Sequence, residues 1–145
     1  MTDSPVRPPR FNHVAMSVAS ELLEPEGRAQ LTAFYGDVFG WQELPTETVD
    51  GKKLVFSVHT IEQFVFLIAD DSPMTCPRLD HFGLSVDTEV ELDAVLAGAR
   101  AWHVRDRRVD IIDKKTEDHG MLAITSIYVQ YLLPMMVEIQ WWEYR

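Results

Sequence analysis

Two histidines and one glutamate have the types and the spacing to hold a metal ion. His13 stands in Phe11-Asn12-His13-Val14-Ala15-Met16-Ser17-Val18, and His81 stands 68 positions later in Leu79-Asp80-His81-Phe82-Gly83-Leu84-Ser85-Val86. Both segments read apolar, Asn/Asp, His, apolar, small, Met/Leu, Ser, Val, so the chain is a duplication and the histidines are equivalent in its two halves. Glu138 lies in Met135-Met136-Val137-Glu138-Ile139-Gln140-Trp141-Trp142, with apolar residues on both sides. A carboxylate buried without a partner is costly, so something positive is expected to meet it. A divalent cation satisfies that need, and two neutral imidazoles complete its ligand set. Two histidines and one carboxylate leave coordination positions open for substrate, water or dioxygen. His13, His81 and Glu138 are therefore the expected metal ligands. Symmetry asks for a fourth ligand in the first half, but aligning Val65 with Val137 puts Phe66 opposite Glu138. The expected site is a triad with an apolar wall.

Strands and helices must carry these residues. Side chains alternate across a strand, so Phe11, His13, Ala15 and Ser17 share one face, as do Leu79, His81, Gly83 and Ser85. The opposite faces carry Val14, Met16 and Val18, then Phe82, Leu84 and Val86, and should pack on helices. Ala15 and Gly83 leave room for a ligand beside the histidines. Each strand precedes an amphipathic helix. Leu31, Phe34, Tyr35 and Val38 form one apolar stripe, and Leu92, Val95, Leu96, Ala99, Trp102 and His103 form the other. Pro25 suits the first helix start, and Thr88 with Glu91 reads as a capping box for the second. The offset of 68 carries Leu54–Ser57 onto Leu122–Thr125, and an offset of 72 carries Phe64–Ala69 onto Met136–Trp141. The chain thus parses as strand, helix, strand, strand, strand, twice: an α+β fold of two βαβββ modules. The expected organisation is a flexible leader over 1–10 and a single domain over 11–145, with module one at 11–71, a linker at 72–78 and module two at 79–143.

With 145 residues, 46% hydrophobic and 25% charged, the composition is that of a globular domain able to bury a core. A formal net charge of −10 argues against nucleic acid as a partner. No apolar run reaches the length of a membrane span. Cys76 is the one cysteine, so no internal disulfide can form; it lies in the linker and fits a cytoplasmic protein. Lys114-Lys115 and Arg105–Arg108 read as solvated loop charges, with contact to an anionic substrate as the alternative. Trp141-Trp142 reads as core or dimer interface.

The double βαβββ arrangement, the paired strand-one histidines, the glutamate on the last strand and the Phe34-Tyr35-Gly36-Asp37-Val38-Phe39-Gly40-Trp41 helix end resemble the vicinal oxygen chelate superfamily. That superfamily includes glyoxalase I, extradiol dioxygenases, fosfomycin-resistance enzymes and bleomycin-binding proteins. The resemblance covers residues 11–143. It implies a half-open mixed β-barrel with helices outside and one divalent metal ion per site, Fe(II) foremost, with Mn(II), Zn(II) or Ni(II) as alternatives. It also implies a small-molecule substrate and a homodimer. A segment from His119 through Ile127, Tyr128 and Pro134 to Glu138 is similar to the extradiol signature, with Tyr131-Leu132 in place of Asp-Pro. Carried over, His119 and Tyr128 are the expected catalytic groups that position or protonate a metal-bound substrate. Phe56, Phe64, Phe66 and Trp142 are the expected substrate-binding wall. The implied function is dioxygenase-like chemistry on an oxygen-rich or aromatic substrate. The alternatives are a non-catalytic binding or drug-resistance protein and a glyoxalase-type lyase or isomerase.

Overall fold

A computed structural model describes residues 4–45 and 50–145. Residues 1–3 of the expected leader and 46–49 of module one lie outside the described residues; residues 4–10 are exposed and form no helix or strand. Module one comprises β1 (His13–Val18), α1 (Pro25–Phe39), β2 (Gln42–Glu43), β3 (Lys53–Ser57) and β4 (Phe64–Ala69). Module two repeats the order with β5 (His81–Val86), α2 (Glu89–Arg105), β6 (Asp110–Asp118), β7 (Leu122–Gln130) and β8 (Met136–Tyr144). The sheets have matching orders, β1-β4-β3-β2 and β5-β8-β7-β6, and neither closes on itself. The first and last strand of each module run parallel and the others pair antiparallel. This is the expected α+β double module.

Local signals set the helix ends. Pro25 occupies the first turn of α1, where its missing N–H costs nothing, and Gly40 ends that helix at φ 74, a conformation that glycine adopts freely. Thr88 and Glu91 form the expected reciprocal capping box on α2. Thr88→Ala removes one half of it and is expected to cost about 1 kcal/mol, read as a lower thermal midpoint, with the fold unchanged.

The core lies on the helix side of both sheets and is shared between the modules. Leu31, Phe34, Tyr35, Val38, Leu92, Leu96 and Ala99 bury against Met16, Val18, Val65, Leu67, Val137 and Ile139. Aromatic rings carry the junction. Phe34 packs on Tyr131 with ring centroids 4.6 Å apart and on Trp102 at 5.5 Å. The Tyr35 hydroxyl donates to the Tyr131 carbonyl at 2.9 Å, which satisfies a polar group in an apolar interior. His103 is structural, as its place on the apolar stripe implied: its Nδ1 donates to the Val109 carbonyl at 2.7 Å. Among the described residues no helix is long and apolar enough to cross a membrane.

Candidate metal centre

The register places the site. On β5 and β8, Gly83 stands opposite Glu138, and on β1 and β4, Ala15 stands opposite Phe66. Phe66 is thus the counterpart of Glu138, as the alignment of Val65 with Val137 predicts. A Cβ added to Gly83 would meet nothing within 4 Å, so there is open space beside the Glu138 row. Tyr128 faces Glu138 from β7, and Ser126 faces Gln140 one pair further along.

His81 and Glu138 come together. His81 Nε2 lies 3.2 Å from Glu138 Oε2, and the carboxylate is 5% exposed where the imidazole is 39% exposed. The other ring nitrogen, Nδ1, is 2.8 Å from the Leu79 carbonyl, which can only accept. Nδ1 therefore carries the proton, and in the neutral ring Nε2 presents a lone pair to a carboxylate. Two lone pairs at that distance repel unless a cation sits between them or the ring gains a second proton. The separation suits a cation: two ligands each about 2.1 Å from one ion, at an angle of about 100°, stand about 3.2 Å apart. A backbone carbonyl behind the imidazole is also the usual support of a metal-binding histidine.

Two further groups hold the carboxylate. The Ser126 hydroxyl lies 3.5 Å from Glu138 Oε1. The Glu138 carboxylate beside the Tyr128 phenol, followed by burial, pushes the phenol's pKa up to about 12. Tyr128 is consequently a neutral donor across the physiological range and not a base. Its ring also stands edge-on to His81, with centroids 5.0 Å apart. Ser126 is a site residue missing from the expected set; strand alternation from Tyr128 was the signal that could have found it.

His13 is prepared in the same way but is not in that cluster. Its Nδ1 is 2.7 Å from the Asn12 side-chain oxygen, which leaves Nε2 free to accept, and its ring stacks on Phe64 at 4.7 Å with a 9° interplanar angle. It borders a cavity of about 550 Å³ between the edge strands β1 and β5, together with Phe64, Gly83 and Ser85. Among the described residues, however, no group of three or more His, Cys, Asp or Glu side chains is placed to hold a metal ion within one chain.

The expected catalytic and pocket residues divide. Tyr128 is at the site. His119 is not: it sits in the β6–β7 turn with Gly120 at φ 82, and its nearest ionic neighbour is Glu117 at 3.7 Å. Six residues of extended strand separate Leu122, just beyond that turn, from Tyr128, about 20 Å along β7. The role expected for His119 beside Tyr128 does not fit this placement. Phe56 is also corrected. It is fully buried on the helix side of β3, packed near Tyr35 and Trp41, because its neighbour Val55 is the residue in register with Phe66. Phe64 and Phe66 remain half-buried on the face that bears His13. Trp142 is 42% exposed on the face that bears Glu138, two pairs further along β8.

Two such modules built around paired four-stranded sheets are the fold of the vicinal oxygen chelate superfamily. The sequence matches no protein-family model and no curated protein. Among solved structures, the chain is similar to the fosfomycin resistance protein FosX from Mesorhizobium loti, at 12% identity over 94% of this chain and 93% of that one, with a TM-score of 0.61. It is also similar to FosX from Listeria monocytogenes complexed with Mn(II) and sulfate, at 17% identity over 91% and 89%, with a TM-score of 0.63. A third similar structure is lactoylglutathione lyase from Agrobacterium tumefaciens, at 17% identity over 92% and 93%, with a TM-score of 0.58. At these identities the likeness is one of fold.

Proposed function

We propose that this chain is a divalent-metal-dependent enzyme acting on a small oxygen-rich substrate, its metal held by His81 and Glu138 of one copy and His13 of a second copy in a homodimer. The observation that carries the reading is the meeting of the His81 Nε2 lone pair with the buried Glu138 carboxylate, which a shared cation resolves. His13 supports it, since it presents the same nitrogen and, among the described residues, belongs to no group of three or more side chains that could hold a metal within its own chain. The modules share their core on the helix side, so the two histidine-bearing faces remain for a second copy to close. The Mn(II)-bound Listeria FosX, of similar fold, favours a divalent metal here.

A bound metal would act as a Lewis acid on adjacent substrate oxygens. The chain's own contribution is positional. Tyr128 and Ser126 orient Glu138, and the Leu79 carbonyl fixes His81 in the tautomer that leaves Nε2 available. Phe64 and Phe66 offer an apolar wall. With His119 in a distant turn, the histidine that the extradiol resemblance sets beside Tyr128 is missing from that position. Lyase, isomerase or hydrolytic chemistry is therefore favoured over the dioxygenase reading.

The test is complementation. His13→Ala and Glu138→Ala proteins are expected to bind little Mn(II) separately. After mixing through a mild denaturant and refolding, half of the dimers are mixed and each restores one of its two sites, so about one quarter of the wild-type metal content should return. No recovery on mixing would refute the shared site, and full metal binding by either variant alone would refute the ligand set.

A further inference from the structure

We infer that Lys115 selects the substrate: the molecule chelated at His81 and Glu138 carries an anionic oxygen group, a carboxylate, phosphonate or phosphate, that reaches this ammonium. The inference rests on the metal reading above and adds a substrate class to it.

The observation is a β-bulge. Ile112 pairs with Tyr128 and Lys115 pairs with Ser126, so Asp113 and Lys114 together stand against the single residue Ile127. Unbroken alternation would set Lys114 opposite Ser126 and turn Lys115 to the helix side. The extra residue reverses this. Lys114 reaches α2, where its Nζ lies 2.5 Å from Glu89 and 2.8 Å from Asp93. Lys115 is brought to the face of Ser126, Tyr128 and Glu138. Bulges commonly serve to re-aim one side chain beside a site.

The two lysines have different surroundings. Lys114 is neutralised by two carboxylates. Lys115 is 78% exposed and its nearest carboxylate, Glu117, is 4.0 Å away, an exposed pair of little strength. The four strands of module two hold no other lysine or arginine. In a chain of net charge −10, one cation turned to the site face is a marked local exception. Lys115 stands in the row of Ser126 and Gln140, two strands across and two residues along from Glu138, about 12 Å away. Its own arm covers part of that distance, and a small substrate bound by its chelating oxygens at Glu138 spans the rest. The row between them offers Ser126 and Tyr128 as neutral donors.

The experiment titrates Mn(II)-loaded protein with two probes that share one chelating unit and differ by one carboxylate, catechol and 3,4-dihydroxybenzoate, by calorimetry at low salt. The wild type should bind the anionic probe about tenfold tighter, the size of one charge-assisted contact. Lys115→Met should reduce that preference to within about twofold while Mn(II) stoichiometry and catechol affinity stay unchanged. Lys115→Arg should keep the preference, and Glu117→Gln should raise it by removing the competing carboxylate. An absent preference in the wild type, or one that survives Lys115→Met, overturns the inference. Failure of the wild type to take up Mn(II) is a separate result, and it overturns the metal reading together with this one.

Discussion

Glu138→Gln is expected to lower Mn(II) affinity by more than about 100-fold, because it removes the anionic ligand while Tyr128→Phe, which removes only a group that orients it, should cost about tenfold. The glutamine is nearly the same shape, and its amide can donate to the His81 nitrogen that the carboxylate confronts at 3.2 Å. The metal-free variant should therefore melt at or above the wild-type temperature. Only the response to metal should vanish. Wild-type protein at metal 100-fold above its dissociation constant gains about 2.7 kcal/mol, and the variant should gain almost none. Thermal melts of both proteins with and without Mn(II) decide the matter. A variant that still shifts with metal, or a wild type that does not, would remove Glu138 from the ligand set. The opposite signs in metal-free and metal-loaded protein separate a lost ligand from a damaged fold.

The largest effect on stability is expected from Phe34→Ala. Phe34 is fully buried, and its ring meets Tyr35, Phe39, Trp102 and Tyr131. Those neighbours come from α1, α2 and the segment joining β7 to β8, so the cavity would open where the two modules share their core. A well-packed aromatic in such a place costs about 3–5 kcal/mol when truncated to alanine. Because both modules rest on it, the variant should still unfold in one transition, at lower denaturant. Urea unfolding followed by far-ultraviolet dichroism and by tryptophan fluorescence tests this. Two separated transitions, or a loss below about 1 kcal/mol, would mean that each module has its own independent core.

Much of this molecule is legible in its residues because the information is local. Two copies of one strand pattern, two helical stripes and two hairpins predict the double module. Alternation along β1 and β5 identifies the face bearing the histidines. Even the register follows: the 68 and 72 offsets place Phe66 against Ala15 as Glu138 stands against Gly83. These features depend on neighbours a few residues away or on a repeated pairing, and both leave a period in the sequence.

What tertiary structure alone decides is which faces meet. Phe56 reads as a pocket residue until the pairing of Val55 with Phe66 turns it into the core. His119 falls in register with a known motif, yet an extended strand carries it about 20 Å from Tyr128. The bulge at Asp113 and Lys114 exchanges the faces of two adjacent lysines without any mark in their spacing. His13 and His81 are equivalent in sequence, but among the described residues no group of three side chains that could hold a metal forms within the chain, so equivalence by itself does not build the site. The period of a strand fixes which side chains share a face, and the burial of distant apolar surfaces fixes what that face looks at.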